Sequence, residues 1–148
     1  MKAWTISQYG DSDVFSETEV EKPSVGINQV LIKVIASSVN PIDVKIRTGA
    51  AAIGPDFPSI LNADVSGYIV ETGSNVCSFK VGDAVYGCVG GVKGSQGALA
   101  DFVVADYRLL SLAPFKLPLN ESAVLPLAGI TAWIALFDKA RIKKASGY

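Results

Sequence analysis

Short runs of bulky apolar residues alternating with polar ones fill most of the chain, and glycine, proline, asparagine or aspartate ends each run. That period-two texture predicts strands separated by turns. The clearest run is residues 29–37, QVLIKVIAS, which is rich in β-branched residues and carries one charge, Lys33. Residues 1–8 (around Ala3, Trp4 and Ile6), 15–22, 64–71, 84–88, 98–105 and 109–112 complete the set. Glu17, Glu19 and Glu21 mark the second of these as a solvated strand. Gly67 lies inside an otherwise strand-like run, which predicts a bulge or another backbone passing close by.

Two stretches depart from the texture. In residues 38–49, SVNPIDVKIRTG, Asn40 can cap a helix, Pro41 suits its first position, and Asp43 complements its positive end. Gly49 can end it, so the spacing predicts a helix over 41–47. Near the C-terminus, Asn120 is expected to cap a short turn, with a kink at Pro126 and helix continuing to about residue 140. Leu127, Ala128, Ile130, Ala132, Trp133, Ile134, Leu136 and Phe137 make that helix apolar nearly all round, so it must be covered on most sides. Arg141, Lys143 and Lys144 would complement its negative end. Residues 87–97, GCVGGVKGSQG, hold five glycines but match neither phosphate-binding spacing, and they read as a mobile hairpin loop. The plan is mainly β, a barrel or roll with one short early helix and an apolar C-terminal helix. No strand–helix–strand alternation occurs, so the chain has no dinucleotide-binding fold of its own.

Composition narrows the chemistry. The 148 residues can bury one real core, and the net charge of −1 gives no electrostatic case for nucleic acid or an anionic membrane. Charged residues are 18%, against about 25% in typical domains, which leaves apolar surface seeking a partner. Histidine is absent, which removes Ser-His-Asp catalysis and the commonest metal ligand. Cys77 and Cys88 are expected to be free, mostly buried thiols in a reducing compartment. The N-terminus lacks the apolar segment of a signal peptide. The greasiest run, residues 123–137, contains Pro126 and Gly129 and at ~1.5 Å per residue falls short of a ~30 Å bilayer core. A cytoplasmic protein is expected.

At this level the motifs resemble a known family. SVNPID at 38–43 followed by RTG at 47–49 is similar to the stretch after the second core strand of medium-chain dehydrogenases/reductases. Residues 64–73 followed by FKVGDAV at 79–85 resemble that family's central GroES-like motif, and AVLPLAGITAW at 123–133 resembles its linker helix. The resemblance spans essentially the whole chain in the right order. It implies a GroES-like, partly open β-barrel at residues 1–119 and a linker helix at 120–148, leading into a Rossmann domain this chain lacks. Zinc-bearing alcohol dehydrogenases of the family place a Cys where Asn40 stands and a His-Glu pair where Ala63-Asp64 stands. Their four-Cys structural lobe is replaced by residues 87–97, so the zinc donor set is missing. The closer resemblance is to the zinc-independent quinone-oxidoreductase branch, which includes zeta-crystallin.

That branch implies hydride transfer from NADPH to a quinone or another activated double bond, with a small apolar electrophile as substrate. Carried over by motif, Asn40 and Asp43 would bind the nicotinamide end, and Thr131 the nicotinamide or its ribose; the cofactor performs the chemistry. The same three residues also suit structural duties, as cap, first-turn acid and a hydroxyl bonded back to helix carbonyls. Several members carry Tyr where Lys45 stands, and enoyl reductases carry one where Ala50 follows Gly49, so no general acid is assigned. The implied partner is a nucleotide-binding domain, and the chain alone is expected to be inactive with little affinity for NADPH. Two other readings stand beside this one. A stand-alone GroES-like assembly module would form homo-oligomers through the C-terminal helix. A zinc alcohol dehydrogenase relative would need a metal.

Overall fold

The computed structural model describes residues 1–142. Its strands are β1 (Lys2–Ile6), β2 (Ser16–Glu19), β3 (Gln29–Ser38), β4 (Ser59–Ile60), β5 (Asp64–Thr72), β6 (Ala84–Cys88), β7 (Phe102–Asp106) and β8 (Leu110–Leu112). The helices are α1 (Pro41–Arg47), α2 (Leu119–Ser122) and α3 (Pro126–Trp133). Neighbouring strands pair antiparallel in two sheets, β2-β1-β4 and β7-β3-β5-β6-β8, which do not close into a barrel. This is the partly open, mainly β architecture expected from the sequence.

The longest strand grows from the strongest apolar run. Within β3, Val30, Leu31 and Ile32 are fully buried; Val30 and Ile32 pack with Val65 and Ile69 of β5 and Val85 of β6 in the main core. Each such side chain contributes about 1.5–3 kcal/mol on burial. A second cluster, Ile6, Ile46 and Leu61, lies under α1. Gly67 fulfils its expectation. It faces Val34 beside a register shift in β3, and a Cβ there would meet the Lys33 carbonyl oxygen.

Several expectations change. The strand expected over 98–105 begins only at Phe102, because the preceding residues bond across to β1, with the Trp4 N–H donating to the Leu99 carbonyl at 2.8 Å. The glycine-rich loop is packed rather than free. Gly97 and Ala98 donate to the Ile60 and Asn62 carbonyls at 2.7 and 2.9 Å, and a Cβ on Gly97 would strike the Leu61 carbonyl. Asn120 lies inside α2, and the cap position falls to Pro118, whose carbonyl takes the Glu121 and Ser122 N–H groups.

Instead of a kink within one helix, residues 123–125 form a turn after α2 and Pro126 opens α3, which continues as a π-helical turn, Ile134–Lys139, with the Trp133 and Phe137 rings tilted against each other at 4.4 Å. Among the described residues nothing covers α3 as its composition demands; Ile130, Trp133 and Phe137 are all exposed. Cys77 is exposed and Cys88 half-buried, rather than both buried, because Cys77 falls in the irregular segment between β5 and β6; both are free. Lys143 and Lys144 lie outside the described residues. Among those described, no helix is long and apolar enough to cross a membrane.

Candidate functional site

The site forms where β3 ends, β5 begins and α3 starts. Ser38, the last residue of β3, faces Asp64, the first of β5. Asp64 is fully buried. Its Oδ2 accepts from Ser38 Oγ and from Asn40 Nδ2, both at 2.9 Å, and its Oδ1 accepts from the Leu127 backbone N–H at 3.0 Å. Ser37 Oγ donates to the Asp64 carbonyl at 2.8 Å. Two residues along the same face of β5, the fully buried Ser66 donates from Oγ to the Leu119 carbonyl at 2.6 Å.

Asn40 caps α1 as expected, with Pro41 next to it. Asp43 completes the cap by accepting the Asn40 backbone N–H on Oδ2 at 2.7 Å. Asp43 is buried, and burial pushes its carboxyl above the usual range. The N–H groups of Asn40 and Ala63 pull the other way, and the Asp64 charge adds to the rise. Cys88 sits opposite Asp64 in register, and its thiol is pushed up to about 11, chiefly by burial and then by the neighbouring Asp64 charge.

The structure therefore joins Asn40 and Asp43 in one hydrogen-bonded cluster. Thr131 is exposed on α3, one turn beyond Leu127. Asp64, Ser38 and Ser66 were not legible as a group, because each partner lies on a different element. The one available signal was an acidic residue opening an apolar strand.

Two cavities flank the cluster. A cleft of about 480 Å³ runs between α3 and the β6/β8 edge, lined by Tyr86, Cys88, Leu110, Ile130 and Trp133. A smaller one, about 210 Å³, lies against α1 beside Asp43, Arg47 and Asn62. Chemically, the cluster offers an amide, two carboxylates and hydroxyls, groups that orient a ligand by hydrogen bonding. The donor set does not fit zinc: Asp64 already accepts three hydrogen bonds, and Asn40 supplies an amide. Among the described residues no three His, Cys, Asp or Glu side chains converge.

A mainly β, partly open domain followed by a helix is the architecture that the motif resemblance implied. Residues 26–115 match the alcohol dehydrogenase GroES-like domain, and the chain belongs to that family. It is 39% identical over 143 residues to a 2-methylene-furan-3-one reductase of Solanum lycopersicum, covering 92% of this chain and 37% of the relative. It is also 39% identical over 138 residues to a chloroplastic NADPH-dependent alkenal/one oxidoreductase of Arabidopsis thaliana, covering 89% and 36%. The quinone oxidoreductase structure from Coxiella burnetii superimposes with a TM-score of 0.85 at 34% identity, covering 98% of this chain and 46% of that one. The chain thus spans about two fifths of the length of the curated relatives it matches.

Proposed function

We propose that this chain is the GroES-like half of a zinc-independent, NADPH-dependent reductase of quinones or other activated double bonds, with residues 1–119 as the β domain and 120–148 as the linker. One observation carries the reading. Asn40 and Asp43 are tied through Asp64 to the start of a helix whose outward faces are apolar and bare. Ile130, Trp133, Ile134, Leu136 and Phe137 are 41–61% exposed. A helix this apolar is suited to lie under another body, and a nucleotide-binding domain is the occupant the reductase relatives suggest.

NADPH, when bound, supplies the hydride. Asn40 and Asp43 hold the nicotinamide end by hydrogen bonds, and Thr131, exposed on α3, meets the nicotinamide or its ribose. The substrate is a small apolar electrophile. Zinc plays no part, since histidine is absent and both Asp64 oxygens are already engaged by donors. Two free cysteines fit a reducing compartment such as the cytosol.

The test has two arms. The 148-residue chain titrated with NADPH should show no saturation in the micromolar range by nucleotide fluorescence. The same chain fused to the nucleotide-binding part of the tomato relative should consume NADPH with a quinone or an enone, unaffected by chelators. A fused protein that binds NADPH but reduces neither acceptor sinks the proposal. An assembly module would instead give stable oligomers through α3 and leave the fusion inactive.

A further inference from the structure

We infer that Asp64 is a positioning residue that fixes Asn40 for its cofactor contact and locks that contact to the direction of the linker helix. The inference rests on the reading that Asn40 meets the nicotinamide. A fully buried carboxylate is costly unless it is compensated. Neither described ion pair, Lys2–Glu17 or Arg108–Asp106, involves Asp64. Compensation comes instead from three hydrogen bonds and from the positive end of α3, because the Leu127 N–H belongs to the first turn and has no acceptor within the helix.

This arrangement dictates which way the Asn40 amide points. An ionised carboxylate only accepts, so Asn40 must turn Nδ2 toward Asp64. Ser38 reinforces the choice: its Oγ donates to the same carboxylate oxygen and accepts from Asn40 Nδ2 at 3.3 Å. The acceptor Asn40 can present to a ligand is the second lone pair of its amide oxygen, the first facing the Asp43 N–H in the helix cap, and that acceptor matches the –NH2 of a carboxamide. Without the Asp64 charge the amide is free to flip and set donor against donor. The other Asp64 oxygen holds Leu127, one turn before Thr131, so one side chain orders both proposed contact residues. Ser66 grips Leu119, just ahead of the linker, but does not touch Asn40, which makes it the control for the Asn40 amide.

In the 148-residue chain, Asp64→Asn should shift the NMR signals of both the Asn40 side-chain amide and the Leu127 backbone amide, while Ser66→Ala leaves the Asn40 pair in place. In the NADPH-reducing fusion, Asp64→Asn and Asn40→Ala should each raise KM for NADPH by about tenfold, with a smaller change in kcat, and the double variant should be within about twofold of Asn40→Ala alone. Ser66→Ala, which loosens the chain ahead of the linker but not Asn40, should raise KM less than Asn40→Ala does, and in combination with it the two effects should multiply. Should Asp64→Asn fail to fold, Ser38→Ala removes one donor and should give the same pattern at smaller scale. Multiplying effects of Asp64→Asn and Asn40→Ala in their double variant, or an unmoved Asn40 amide, overturn this inference alone. An unchanged KM in Asn40→Ala overturns the cofactor reading and the inference with it.

Discussion

Alanine at Gly67 tests the packing of the central strand pair. The added methyl carbon would fall on the Lys33 carbonyl oxygen, 2.7 Å from Ile32 Cγ2 and 3.0 Å from the Lys33 carbonyl carbon. Relaxed contacts between carbons lie at about 3.5–4.0 Å, so β3 and β5 must part by roughly 1 Å. Little there can yield. Ile32 and Val65 are fully buried, and both strands have hydrogen-bonded neighbours on each side. Overpacking of this kind costs about 1–3 kcal/mol, and parting the strands weakens one or two ladder hydrogen bonds worth about 1 kcal/mol each. The sum is about 3 kcal/mol, and at about 3 °C per kcal/mol for a chain of this size, Tm should fall by about 10 °C. Urea unfolding followed by circular dichroism gives the same quantity independently. Gly129→Ala is the counterpart: nothing lies within 4 Å of its added Cβ, and helix propensity should stabilise α3 by up to about 1 kcal/mol. A Gly67→Ala chain within about 0.5 kcal/mol of the parent would refute the close approach of β3 to β5.

Two further outcomes follow from titratable groups. At pH 8 the folded chain should react with one equivalent of a thiol reagent, at exposed Cys77, and with a second only on unfolding, because the Cys88 thiol stays protonated until about 11; a fast second equivalent would contradict the placement of Cys88 beside Asp64. Asp106 is held down to about 2 by its hydrogen bonds from the Arg108 side chain and backbone. With the folded value depressed, its small, salt-screened contribution to stability is present above the ordinary 3.8 and is lost as pH falls toward 2. Its NMR titration midpoint should rise toward 3.8 in Arg108→Met, and a midpoint that stays put would count against that pairing.

Legibility in the sequence followed the range of the interactions. The helix at 41–47 was readable because cap, proline and first-turn acid lie within four residues, and the Asn40–Asp43 half of the site came with it. The strand at 84–88 was readable because its alternation is local. The strand expected to begin at 98 does not, because the partners of 98–101 are distant in sequence: Ala98 and Leu99 donate to Asn62 and Leu61, and residues 99–101 also pair with β1. The glycines of 87–97 signal either freedom or close backbone approach, and only the distant residues 60–62 decide for the second. Asp64 escaped for the same reason, the three donors to its carboxylate being 24, 26 and 63 residues away.

The junction at α3 inverts the usual division of labour between polar and apolar groups. A helix held by its own chain normally turns its apolar face inward and leaves polar groups outside. Here the attachments at the start of the linker are polar: Asp64 to the Leu127 N–H and Ser66 to the Leu119 carbonyl, both from buried side chains of one strand. The large apolar side chains, Trp133 and Phe137 among them, remain exposed. Directional hydrogen bonds to the backbone set where the helix points, whereas apolar contacts with the chain would have used up its faces. The β domain therefore fixes the axis of α3 and leaves its apolar side chains exposed. That division suits the proposed linker, whose part would be to hold a cofactor-bearing neighbour at a fixed angle to Asn40.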